Sequence, residues 1–166
     1  MTTHSPYVSS LDEQTRSTSI DLLNAALTDA ITLSLSIKQA HWTLKGPSFI
    51  GLHELMDDVG GRMNDAADMI AERCIILGGH TQGTLEQVAA GSTVEPYPGD
   101  ISWQGDHVTA LTERLMAFGA LMRRSIEAAG EAGDEDTADL FTEISRTVDK
   151  DAWFVGAHAT QDKYEA

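Results

Sequence analysis

Apolar residues recur every three or four positions along four long stretches of the chain, the spacing of amphipathic helices. The clearest stretch begins at Phe49. Leu52, Met56, Val59, Met63, Ala66, Ile70 and Leu77 form one stripe, and Gly78-Gly79 supplies a left-handed stop. An earlier helix is expected from about Thr18 to Lys45, with Leu23, Leu27, Ala30, Ser34, Ile37, His41 and Leu44 facing inward. Gly46-Pro47-Ser48 breaks the pattern, and Ser48 suits the N-cap of the next helix. Two more helices are expected from Trp103 to Ala129 and from Glu135 to Thr160. Between the second and third lies Thr81 to Asp100, rich in Gly, Pro, Thr and Ser, with room for a short helix at Thr84 to Ala90. A connection of that length suits a crossover along a bundle. The expectation is one all-α domain over 18–162, a four-helix bundle with a short extra helix in its crossover. Residues 1–17, polar and carrying Pro6, read as a flexible tail.

Composition narrows the setting. The 166 residues suffice for a good core, and 42% are hydrophobic, with no apolar run judged near membrane-spanning length. MTTHSPYVSS has neither a basic start nor an apolar stretch, so no signal peptide is expected. The single Cys74 excludes an intrachain disulfide and fits a reducing cytoplasm. With 26 acidic against 11 basic residues, the net charge is −15, a surface that repels nucleic acid and attracts cations.

Chemistry enters on a second face of the Phe49–Leu77 helix. His53, Asp57, Asp68 and Glu72 fall within an arc of roughly 100°, about 150° from the apolar stripe. His53/Asp57 and Asp68/Glu72 are i,i+4 pairs, each able to grip one ion. Within one helix they cannot share it, because Asp57 and Asp68 are about 16 Å apart. Two copies crossing antiparallel about a dyad near residues 62 and 63 would set His53 against Glu72 of the other copy, and Asp57 against Asp68. Ile50 and Ile75 would meet by the same symmetry. Gly60 and Gly61 sit near the dyad, where backbones could approach. The pattern asks for a two-fold dimer with two shared metal sites. Imidazole with carboxylate suits Fe(II), with Mn(II) and Zn(II) as possible substitutes. No histidine has a glutamate three residues before it, so the intrabundle Glu-x-x-His arrangement is absent from the sequence.

His41-Trp42, Gly46, Leu52-His53, Asp57, Asp68 and Glu72-Arg73, with Thr137-Ala138-Asp139-Leu140-Phe141 downstream, closely resemble the Dps proteins, the mini-ferritins of starved cells. The resemblance spans about residues 18–160. It implies a ferritin-like bundle assembled as a hollow homododecamer. It also implies ferroxidase ligands at His41, His53 and Asp57 of one subunit and Asp68 and Glu72 of its neighbour. Hydrogen peroxide is the expected oxidant of Fe(II), with oxygen as the alternative, and the ferric mineral is stored inside. Trp42 matches the aromatic beside that site, the expected sink for oxidising equivalents.

Other residues have plainer readings. Asp134, Asp139 and Glu143 suit a helix N-terminus, and the resemblance places this segment at an iron-entry pore. His80 and His107 read as surface residues, Cys74 as a packed small side chain, and Trp42 and Trp153 by default as core. Two other functions compete with a ferroxidase. A DNA-compacting role needs a basic tail, but residues 1–17 contain no lysine and QDKYEA only one, so DNA binding is not expected. Hydrolysis at Zn(II) lacks a nucleophile or base pattern.

Overall fold

The computed structural model describes residues 5–159. Five helices follow one another: α1 Glu13–Thr43, α2 Phe49–Ile76, α3 Leu85–Gly91, α4 Gln104–Ala132 and α5 Glu135–Gly156. Packing pairs α1 with α2 and α4 with α5, joins the pairs through α1–α4 and α2–α5, and lays α3 on α1. The stripes expected from sequence meet in one core, where Leu23, Leu33, Ile37, Met63, Leu111 and Phe141 lose almost all contact with solvent. The all-α bundle with its helical crossover is therefore observed. Among the described residues the β-like pairing is a single bridge, Lys45 with Trp103.

Helix ends depart from expectation where a cap, and not the apolar stripe, sets them. α1 starts at Glu13 because the Asp12 carboxylate accepts from the Thr15 amide at 2.8 Å. Residues 13–17 thus belong to the helix and not to a tail. The segment before it is also tied down, since the Tyr7 amide donates to the Ile76 carbonyl at 2.9 Å and Val8 and Leu11 pack on the core. Ser48 occupies the N-cap of α2 but its hydroxyl caps nothing; its amide donates to Gln104 Oε1 at 2.9 Å. That link demands glycine at 46, where φ is +153° and an added Cβ would lie 2.3 Å from Gln104 Oε1. α2 ends at Ile76 with Leu77 as its C-cap, and Gly78 just beyond, φ +89°, makes the left-handed stop anticipated, with amides 78 and 79 bonded back to Ile75 and Cys74. α5 ends at Gly156, short of the expected Thr160, with the Ala157 amide bonded back to Trp153 and that of His158 to Val155; Thr160 itself and the QDKYEA segment lie outside the described residues.

By length and composition α1 could cross a membrane, with an 18-residue window of mean hydropathy 1.4, contrary to the sequence expectation. Its apolar side chains Leu23, Leu27, Leu33 and Ile37 are spent instead on the bundle core.

Candidate metal centre

His41 ends α1 and His53 opens α2, and the bundle brings their rings together. The imidazoles stack with centroids 3.7 Å apart and planes 21° off parallel, with Phe49 tilted against His53. Each ring is fixed by the other's backbone. His41 Nδ1 donates to the His53 carbonyl and His53 Nδ1 to the His41 carbonyl, both at 2.9 Å. A carbonyl only accepts, so Nδ1 carries the proton and Nε2 of each neutral ring keeps its lone pair. A fixed ring with its proton on Nδ1 is the arrangement that an Nε2 metal ligand needs.

Asp57 lies one turn beyond His53, its Oδ1 3.4 Å from His41 Nδ1. Its closest partner is the Lys38 ammonium at 2.5 Å. This Lys38 hydrogen bond is the main reason that the Asp57 carboxyl sits below its ordinary value, with the ammonium's charge adding to it. Lys38 was missed in the sequence, although its place three residues before His41 puts both on one face of α1.

Asp68 and Glu72 lie farther along α2, exposed, with no hydrogen bond or ion pair within the subunit. The structure therefore brings His41 beside both His53 and Asp57 and leaves Asp68 and Glu72 apart on the same helix as His53 and Asp57. Among the described residues of one subunit, no group of three or more His, Cys, Asp or Glu is disposed to hold a metal ion. The face carrying both half-sets is apolar where symmetry pairing asks for it, with Ile50 63% and Ile75 37% exposed. Gly61 is open, with nothing near a would-be Cβ, whereas Gly60 packs on Ile37 of α1.

Several side chains differ from their sequence readings. Asp134 is buried, not pore-lining: it caps α5 through the Thr137 amide and hydroxyl and pairs with Arg73 at 2.7 Å. Asp139 and Glu143 are exposed on α5. His107 is buried, its Nδ1 2.6 Å from the Tyr97 hydroxyl and its Nε2 3.4 Å from Thr43 Oγ1. His80 is exposed and Cys74 fully buried, as expected. Trp42 and Trp153, by default core, are each 67% exposed. For Trp42 the reason is its register: the neighbouring His41 takes the inward position.

Residues 20–164 match the ferritin family, described as a ferritin-like domain. The chain is 43% identical over 151 residues to a DNA protection during starvation protein of Agrobacterium fabrum, covering 91% of this chain and 93% of that one. It is 32% identical over 150 residues to the protein of that name in Mycolicibacterium smegmatis, covering 89% and 80%. Among solved structures, DpsC from Streptomyces coelicolor superposes with a TM-score of 0.91 at 30% identity, covering 97% and 94%. A Dps from Mycobacterium smegmatis gives 0.87 at 30%, covering 91% and 92%.

Proposed function

This chain belongs to the Dps family of ferritin-like proteins, and on that premise we propose that it is a ferroxidase and iron-storage subunit, working at centres shared between two copies. The observation that carries the reading is the reciprocal pair of imidazole–carbonyl bonds at Nδ1, which leaves the Nε2 atom of each ring available to a ligand, with the Asp57 carboxylate 3.4 Å from His41 Nδ1. His41, His53 and Asp57 of one subunit supply the nitrogen-rich half, and Asp68 and Glu72 of the partner subunit the carboxylate half. Two neutral imidazoles and three carboxylates hold Fe(II) and, being harder and more anionic on one side, also favour the Fe(III) product. Zn(II) and Mn(II) compete for the same ligands. Iron is the substrate here, delivered and then stored as ferric mineral in a closed homododecamer.

Hydrogen peroxide serves as the oxidant. Two Fe(II) each give up one electron, the O–O bond breaks, and two protons complete two waters. Oxygen is the alternative, and iron-oxidation kinetics under each oxidant separate the two. Trp42, adjacent to His41 and largely exposed, is placed to donate an electron when only one Fe(II) is present. Asp139 and Glu143 are the remaining candidates for an iron-entry path. DNA protection, the role in the relatives' name, follows from removing Fe(II) and peroxide together. Direct phosphate contact is disfavoured by the −15 charge.

Mixing tests the shared centre. His53→Ala and Glu72→Ala each damage every site in a uniform assembly. A mixed pair concentrates both losses in one site and leaves its mate whole, so co-expressed chains recover rapid oxidation that neither mutant shows alone. No recovery, with mixing verified by mass spectrometry, would mean that each centre draws its ligands from a single chain.

A further inference from the structure

The Lys38 ammonium sits against Asp57, one of the candidate metal-binding carboxylates. It lies 2.5 Å from Asp57 Oδ1, and both side chains line an open slot of about 390 Å³ between α1 and α2, with Ser34, Gly61 and Asn64. The slot lies on the face that the dyad would close, and there the antiparallel pairing brings the partner's Asp68 opposite Asp57. Two carboxylates meeting across that interface repel one another when nothing lies between them. Lys38 is the cation at hand. Ser34 is no competitor for the role, since its hydroxyl is committed to Asn64 Oδ1 at 2.6 Å.

We propose that Lys38 is a built-in stand-in for the metal, a positioning residue that neutralises Asp57 and the facing carboxylate in the empty protein and is displaced when a divalent cation binds. This rests on the shared-centre reading above. Two electrostatic effects act in the same direction. In the empty state the ammonium stabilises the carboxylate it must later release, and in the loaded state it repels the ion that replaced it. Lys38 therefore weakens metal affinity while holding the metal-free interface together. The slot gives the displaced side chain somewhere to go: the Lys38 side chain is already 40% exposed, and its four-carbon stem can swing the ammonium into water without disturbing α1.

The test compares Lys38→Met, Lys38→Arg and His53→Ala with the unaltered protein, each as the full assembled chain. Co(II) binding is followed by its absorption spectrum, Fe(II) oxidation by initial rates, and metal-free assembly by sedimentation over a dilution series. Lys38→Met is expected to bind Co(II) about five- to tenfold more tightly. It should lower KM for Fe(II) by a similar factor without a comparable change in kcat, and its metal-free assembly should come apart at higher protein concentration. Lys38→Arg keeps the charge and should stay near the unaltered protein in all three. Unchanged or weaker Co(II) binding by Lys38→Met overturns the proposal. So does a loss confined to kcat, which would make Lys38 a group that acts on the oxidant. If His53→Ala binds Co(II) as well as the unaltered protein, the shared-centre reading itself has failed, whatever Lys38→Met does.

Discussion

The carboxylate of Asp134 joins two helices that the chain order keeps far apart. Burial pushes its pKa up, yet the Thr137 and Ser19 hydroxyls, the Thr137 amide and the Arg73 guanidinium outweigh that and leave it below the ordinary value. The Ser19 hydroxyl acts only as a longer-range dipole, since it falls outside hydrogen-bond geometry. Because the folded value is lowered, the stabilisation is complete above the ordinary carboxyl value of 3.8 and disappears as pH falls through the lower folded one. Asp134→Ala would take from the largely buried Arg73 its closest carboxylate, leaving Thr137 and the more distant Asp136, and would remove the cap of α5, at a cost of about 2–4 kcal/mol. Urea denaturation of the mutant and unaltered chains at neutral pH and near pH 3 checks both claims: a large gap at neutral pH should narrow in acid. Residue spacing alone could not foresee this, because an aspartate opening a helix looks the same whether it faces a pore or an arginine sixty residues away. The i,i+4 pairs of α2 were legible for the opposite reason, since their geometry is fixed by one helix.

The crossover owes its place to polar anchors in the stretch that follows α3. Asp29, buried on α1, accepts from the Ser92 hydroxyl and from the Thr93 amide and hydroxyl, all within 2.8 Å. A few residues on, Tyr97 bonds to His107 and lies under Arg114. Asp29→Ala should cost about 2–4 kcal/mol by stranding three donors. It should also speed amide hydrogen exchange across residues 81–100 first, with α2 unaffected; uniform loosening of the whole chain would contradict that localisation. His107 answers to pH. Burial lowers its pKa from the ordinary 6.5, so its neutral form supports the fold fully above that value and progressively less as pH falls through it toward the lowered folded value. Thermal melts at pH 7.5 and 5.5 should therefore show a larger acid loss for the unaltered chain than for His107→Gln. The long helices could be read from their apolar stripes, but their ends depend on single caps such as Asp12, and a three-residue cap leaves little periodicity to detect.

At the scale of the whole molecule, the exposed Ile50 and Ile75 and the split ligands point to assembly as a condition of activity. Ile50→Glu places a charge in the proposed two-fold contact and should yield a helical but smaller species in sedimentation, with rapid iron oxidation lost. A fully active monomer would refute the shared centre. The charge of −15 predicts no gel shift of DNA at physiological salt in the absence of divalent cations, and tight binding there would overturn this view of the surface. The bundle and the family were legible over most of the chain. The membrane-like hydropathy of α1 shows what hydropathy alone leaves open, since a core helix and a membrane span draw on the same apolar side chains.

The proposed division of ligands between subunits would also order events in time. A newly made chain carries His41, His53 and Asp57 at one end of its ligand face and Asp68 and Glu72 at the other, and neither half is a centre. Such a chain is chemically quiet while it folds and diffuses. On the proposed shared centre, catalysed oxidation would begin only when a second chain arrives, so the rate at which a cell gains ferroxidase capacity would follow the square of subunit concentration at early times. Dilute subunits would then add no Fe(III) of their own making before a container begins to form.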